Sequence, residues 1–370
     1  MSRTAPRRVF LHVGAPKTGT TYLQDRLTLN ARSLARHGVH VPTGSRLVSP
    51  ALFQFRAALD LLGQDWGGAP GHAEGAWEAL VKKVRATSGT VVVSHEILAP
   101  AKAEAVARAK RDLTADGSEL HVVYTARDLG RQVPAAWQES IKQGRTWSYA
   151  VFVKKFRRRS AWFAHAFDLP TALGRWSEGL PPERVHLVTV PPSGTPGDLL
   201  WTRFCAVTGI DPAWAPRPSD RRNASMGAAE TEVVRALNEA LDRKVRRGPD
   251  YDYLIRNLLA EDSLVSGSSH SSPVRMPPRL LDWAQEETAR WRTWVESAGI
   301  DVVGDLDELE PRPIAEEDWN DPDKTTRKWR LRVAMRALTA MTEEAARRPM
   351  PERSLPGRVR AEAARRIRTR

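Results

Sequence analysis

Val9-Phe10-Leu11-His12-Val13-Gly14-Ala15-Pro16-Lys17-Thr18-Gly19-Thr20-Thr21-Tyr22-Leu23-Gln24 is the stretch on which the fold turns. Val9–Val13 is a short, continuous apolar run, as expected of a strand covered on both faces. Gly14 and Gly19 then let the backbone bend tightly. From Thr20 to His37 apolar residues recur at three-to-four spacing, which predicts a helix. A strand that turns through glycines into a helix N-terminus makes an anion site. Free amides point at the ligand and the helix dipole favours negative charge.

Three similar runs follow: Thr90–Ser94, Leu120–Thr125 and Val185–Val190. Ala101–Leu113 and Gly130–Lys142 read as helices between them. Strand and helix in alternation predict a doubly wound α/β fold with a mainly parallel sheet and a phosphate site like that of P-loop proteins. After Val190 the pattern is mostly helical, with Gly197–Thr208, Ala228–Lys244 and Arg279–Ser297 as the clearest segments. Ser263 to Pro278 reads as a surface loop. A boundary near 310 divides a main domain, 1–310, from a polar linker and basic helical tail, 311–370.

The chain's net charge is +13, but the tail from Lys324 carries 15 Lys/Arg against 4 Asp/Glu. The basicity belongs to the tail, so it gives no argument for nucleic acid binding by the core. The tail is read as solvated helix, with an acidic partner or membrane surface as the alternative. A single cysteine, Cys205, excludes an internal disulfide or a thiolate cluster. It reads as a buried apolar residue. No run is long and apolar enough for a signal or membrane segment, so a cytoplasmic protein is expected. The histidines show no metal-site spacing, and His12 is expected to be packed within its strand.

The phosphate loop departs from the nucleotide-triphosphate template G-x-x-x-x-G-K-[ST]. Thr20 stands where the template has lysine, and the lysine lies three residues earlier, as Lys17. Pro16-Lys17-Thr18-Gly19-Thr20-Thr21, with Phe10–Ala15 before it and Tyr22-Leu23-Gln24 after it, resembles the 5′-phosphosulfate loop of sulfotransferases that use 3′-phosphoadenosine 5′-phosphosulfate (PAPS), bacterial members especially. The likeness extends over about residues 8–230. It implies that Pro16–Thr21 hold the 5′-phosphosulfate, with Lys17 also catalytic, and that Tyr22 stacks near the adenine. It further implies a metal-free transfer of a sulfuryl group to a hydroxyl or amine of a small-molecule or carbohydrate acceptor.

In that family an arginine at a later strand end grips the 3′-phosphate, and a serine eight residues on assists it. Arg127, after Val122–Ala126, matches the arginine. Ala135 stands where the serine should be, so either another donor such as Gln132, Gln138 or Ser140 takes over or the 3′-phosphate is held differently. Family members carry their catalytic base, a histidine or a glutamate, at the strand end corresponding to Ser94-His95-Glu96. Both types are present here: histidine is the natural base near neutral pH, glutamate serves if burial raises its pKa, and the Ser-x-Glu pattern favours Glu96 over His95. Arg221-Arg222-Asn223-Ala224-Ser225 sits about where many family members place a second nucleotide-binding or substrate segment, with Arg222, Asn223 and Ser225 as its candidate donors. A solvated loop with a helix cap is the alternative there. Trp137, Trp147 and Trp162 are candidates for an acceptor cleft or for core. Competing functions are a P-loop nucleotide kinase or NTPase, disfavoured by Thr20, and a non-catalytic nucleotide- or anion-binding protein.

Overall fold

A computed structural model describes residues 6–44, 48–66, 68–195, 197–219, 225–265 and 271–348. Its centre is a six-stranded sheet in the order β2-β3-β1-β4-β5-β6. The strands are β1 (Arg8–Gly14), β2 (Val39–His40), β3 (Thr90–Ser94), β4 (Glu119–Ala126), β5 (Val185–Thr189) and β6 (Asp301–Val303). Every neighbouring pair is parallel. The expected doubly wound parallel sheet is therefore present.

Side-chain alternation explains the continuous apolar runs. Val9, Leu11 and Val13 of β1 enter one buried cluster while Phe10 enters another on the opposite face. In β4, Leu120, Val122 and Tyr124 take the first face and Val123 the second. Two faces needing cover require helices on both. The second face packs against Leu23 and Leu27 of α1 (Thr20–Arg36) and against Trp201 and Phe204.

The first face receives the larger layer. It includes α2 (Pro50–Leu62), α3 (Ala76–Arg85), α4 (Ala103–Thr114), α5 (Leu129–Lys142), α6 (Tyr149–Arg157), α7 (Trp162–Phe167) and α8 (Leu169–Ser177). The second face adds α9 (Leu199–Thr208), which buries Cys205 and pushes its thiol up to about 12. Later helices are α10 (Ala228–Ala240), a π-helical segment (Asp252–Ser263), α11 (Leu281–Ala298) and α12 (Arg327–Arg347).

The segment expected to be a surface loop is anchored at its far end. Pro273 bridges to Gly227 and Met276 is buried, while residues 266–270 lie outside the described ones. The described part of the chain beyond residue 310 packs on the main body. Asp323 accepts hydrogen bonds from the amides of Tyr149 (2.7 Å) and Ala150 (2.9 Å), and Val333 of α12 is fully buried. The last part of the basic tail, 349–370, lies outside the described residues. No helix among the described residues is long and apolar enough to cross a membrane.

The order of strands places β1 between β3 and β4, the two strands to which the chain crosses on either side. In open α/β sheets, ligands bind at the carboxyl ends of strands where the winding reverses. The loop Pro16–Thr21, the pair His95-Glu96 and Arg127 follow the carboxyl ends of these three strands.

Candidate functional site

The loop after β1 is shaped by backbone residues in the left-handed region. Lys17 has φ +62° and Gly19 φ +86°. For lysine this conformation is costly and persists only where surrounding contacts enforce it. Thr18 supplies one such contact. It is fully buried, and its hydroxyl bonds to the Ala15 carbonyl and to the Thr125 hydroxyl on β4. Its side chain thus braces the loop. Pro16 is buried too, and Thr20 is 3% exposed, whereas Thr21 faces outward.

Gly19 is the N-cap of α1 and offers no side-chain cap, and the first turn of that helix carries no acidic residue. The amides of Thr20, Thr21 and Tyr22 precede the first intrahelical bond, from Leu23 N to Gly19 O at 3.0 Å. This end of the helix is therefore suited to an anion. Tyr22 is held by its hydroxyl, which donates to Asp198 (3.0 Å) and accepts from Arg26 (3.1 Å). Its ring remains partly exposed.

Lys17 reaches to α5, where its Nζ lies 3.2 Å from Glu139 Oε2. Arg256 of the π-helical segment meets the other carboxylate oxygen at 3.2 Å. Burial pushes the Glu139 carboxyl up, but Lys17, Arg256 and Lys142 outweigh it and bring it down to about 2. Lys142 faces Glu261 at 3.8 Å.

On the other side of the loop, Glu96 begins a short turn after β3. Its carboxylate accepts from Gln24 Nε2 of α1 at 2.9 Å. Burial acts to raise its pKa, yet His95, the backbone amide, Gln24 and His12 together pull it below the usual range. Glu96 is thus ionised, and the burial-raised pKa expected of a glutamate base is not found. His95 is 9% exposed, and its Nδ1 accepts the Ile97 amide at 3.3 Å. Burial lowers its pKa, with Glu96 opposing. His12 is packed in the sheet as expected. It bonds to Ser94 (2.8 Å) and Thr125 (3.3 Å), and burial lowers it to about 4.

Arg127 follows β4 and donates from Nη1 to the Lys17 carbonyl at 3.3 Å. Among the described residues its buried Nε has no hydrogen-bond partner. Burial lowers its pKa to about 10, Arg131 adding to the effect and Asp128 opposing it. Asp128 is engaged otherwise: it caps α5 by accepting from the Arg131 amide at 2.9 Å and pairs with the Arg131 guanidinium. Arg127 also lines a cavity of about 940 Å³, with Ala135, Gln138, Ser193 and Ser225 among the other lining residues.

Of the residues considered as replacements for the absent serine, Ser140 donates to its own helix at Ala136 O (2.8 Å). Gln138 donates to Met226 O and Gln132 is 1% exposed. Ser193 and Ser225, both exposed, line the same cavity as Arg127, as does Ser271, whose hydroxyl donates to Glu230. Arg222 and Asn223 lie outside the described residues. Trp137 is core, its indole donating to Trp147 O at 2.9 Å. Among the described residues no three His, Cys, Asp or Glu side chains gather as a metal-binding group.

Sequence reading did not single out Glu139, Lys142, Arg256 or Gln24 as site residues. Glu139 and Lys142 had a readable signal, being charged positions in the helix that follows Arg127. Arg256 had none, because a π-helix departs from the 3.6-residue period by which faces are assigned.

No family model matches the chain, and no curated protein matches it. Among solved structures it is similar to a sulfotransferase from Alicyclobacillus acidocaldarius. The two are 15% identical with a TM-score of 0.37, over 66% of this chain and 100% of the other.

Proposed function

We propose that the protein transfers a sulfuryl group from PAPS to a hydroxyl or amine of a small-molecule or carbohydrate acceptor, releasing adenosine 3′,5′-bisphosphate. The observation that carries this reading is the link between two anion-gripping elements. The lysine-bearing loop, at an uncapped helix N-terminus, is joined by the Arg127–Lys17 carbonyl bond to a guanidinium with an unpartnered nitrogen. Such a pair suits a nucleotide that is anionic at both its 5′ and 3′ ends.

In this reading the α1 amides with Thr20 and Thr21 hold the 5′-phosphate. Arg127 takes the 3′-phosphate at the mouth of the cavity, assisted by Ser225 or Ser193. The segment with Arg222 and Asn223 contributes to the same end, and Tyr22 borders the adenine. The acceptor oxygen attacks sulfur as the bond from sulfur to the 5′-phosphate oxygen breaks. The acceptor's proton passes to Glu96, already ionised and oriented by Gln24. His95, whose Nδ1 is occupied, is the alternative base. Lys17 steadies the charge that develops on the departing phosphate oxygen. A fixed donor at that point is usually the largest contribution to catalysis. Residues 1–310 form the transferase unit, and the buried lone cysteine fits a reducing, cytoplasmic setting.

Calorimetric titration of the full chain with adenosine 3′,5′-bisphosphate and with ATP tests the reading. Clear preference for the bisphosphate is expected. Equal affinity, or binding of neither, would sink it.

A further inference from the structure

Helix α12 has apolar residues on two opposite sides, and the body of the protein uses one of them. On the inner side Val333 is fully buried, and Trp329, Ala337 and Met341 pack against the same core. Arg336 pins that side, donating to Ser263 O at 2.9 Å and facing Glu230 of α10 at 3.6 Å. Leu331, Met335 and Leu338 follow one another at steps of four and three residues, which keeps them on one line of the helix. They are 63%, 54% and 58% exposed. One open Leu or Met is ordinary on a surface, but three in register on one helix form a stripe that calls for a partner.

Charge is arranged around the same line. From Arg327 to Thr342 the helix holds five Lys/Arg and no Asp/Glu. Arg327 and Lys328 stand four and three residues before Leu331, and Arg332 stands three before Met335, so they flank the stripe. All three are exposed, and among the described residues none has a carboxylate partner. Arg332 lies over the Trp329 ring, 4.8 Å from its centroid. The two carboxylates of the helix are at its far end and engaged. Glu344 is buried and accepts from the Tyr253 hydroxyl at 3.1 Å, and Glu343 faces Arg347 at 3.9 Å.

We propose that this face of α12 seats the protein on an anionic phospholipid surface. Leu331, Met335 and Leu338 enter the headgroup boundary, and Arg327, Lys328 and Arg332 meet the lipid phosphates. An apolar stripe and a basic cluster on one helix supply the two signals that lasting peripheral attachment needs. The long Lys and Arg stems let their charges stay at the phosphates while the stripe goes deeper. Other occupants fit the geometry poorly. A groove in a partner protein needs the helix to sink into it, and α12 is held against the body along its inner side. A second copy would bring two cationic faces together. The flat outer face suits a flat surface, and the helix lies along it. This proposal does not depend on the transferase reading.

Co-sedimentation of the full chain with vesicles tests it. One set is phosphatidylcholine alone, and the other contains about one third phosphatidylglycerol. Strong binding to the second set and little to the first is expected, with the binding weakening as salt is raised. Combining Leu331→Gln, Met335→Gln and Leu338→Gln keeps the charge and a residue that favours helix. That variant should melt like wild type and bind the anionic vesicles about tenfold or more weakly. Combining Arg327→Gln, Lys328→Gln and Arg332→Gln should remove the preference for anionic lipid. Equal binding of the wild type to both sets, or to neither, would overturn the proposal. Wild-type binding by the first variant would overturn it too, leaving the attraction to charge alone. So would a dimer in sedimentation velocity without lipid that the first variant breaks, since the stripe would then belong to a second copy.

Discussion

Lys17 Nζ and Glu139 Oε2 stand 3.2 Å apart, joining the loop after β1 to α5. The lysine that the sequence offers as an anion ligand is therefore already opposite a carboxylate, and Arg256 shares that carboxylate. An incoming phosphate must compete with Glu139 for the ammonium.

Glu139→Gln removes that competitor and leaves Lys17 and Arg256 with greater uncompensated charge. Affinity for adenosine 3′,5′-bisphosphate should rise about three- to tenfold at low salt, with a steeper fall as salt is added. Folding stability should drop by about 1–3 kcal/mol, since Arg256 and Lys142 lose a buried partner. Calorimetry over a salt series, with denaturant unfolding in parallel, checks both. Weaker binding in the variant would mean that Glu139 positions the lysine and does not compete with the ligand.

Lys17→Met leaves Glu139 paired to Arg256, so the fold should survive. Turnover should fall by at least about a hundredfold if Lys17 stabilises the leaving oxygen. Activity close to wild type, in a variant with an unchanged melting curve, would remove Lys17 from the mechanism.

Arg127→Lys keeps a cation but loses the planar fork. Binding of adenosine 3′,5′-bisphosphate should weaken about tenfold or more, while adenosine 5′-monophosphate, which lacks the 3′-phosphate, should be little affected. Equal losses for both ligands would place the 3′-phosphate elsewhere.

The fold was legible because its four longer strands are apolar on both faces, and a parallel sheet between helix layers leaves no other pattern. Strands β2 and β6 were not, at two and three residues, since neither gives a period to read. The loop and Arg127 were legible because glycine spacing and strand ends are local signals. Glu139 meets Lys17 across 122 residues of chain and Arg256 meets Glu139 across 117, and no local pattern encodes such meetings. Thr18 shows a different limit. Its hydroxyl reads as a ligand donor in the motif, yet it is spent on Ala15 and Thr125.

Gly19 combines a positive φ with a close neighbour. A Cβ there would lie 2.5 Å from Leu200 Cδ2, in a backbone conformation that L side chains rarely adopt. Gly19→Ala should destabilise the protein by about 1–3 kcal/mol and weaken bisphosphate binding, because the loop must shift to relieve both faults. Adding Leu200→Ala removes the clash and leaves the φ penalty. The double variant should therefore recover part of the binding, and complete recovery would show that backbone conformation at Gly19 is immaterial.

Acid should unfold the protein in a defined window. Buried His12 titrates near 4 instead of its ordinary 6.5. His121 is likewise lowered to about 4, by burial first and then by His186, Arg184 and Arg8. In both cases the unfolded chain takes up the proton before the folded one. The stability from keeping them neutral is present above pH 6.5 and drains away as the pH falls towards 4. Fully buried His12 contributes a slope of up to about 1.4 kcal/mol per pH unit, and half-buried His121 contributes less because solvent screens it. Glu139 extends the loss further down, since its contribution is present above its ordinary 4.5 and fades as the pH approaches 2. Urea midpoints measured from pH 7 to 4.5 should fall steadily. His12→Gln should start lower at pH 7, having lost its fit between Ser94 and Thr125, but decline more gently across the same range. Parallel curves for the two proteins would show that His12 takes no part in the acid response.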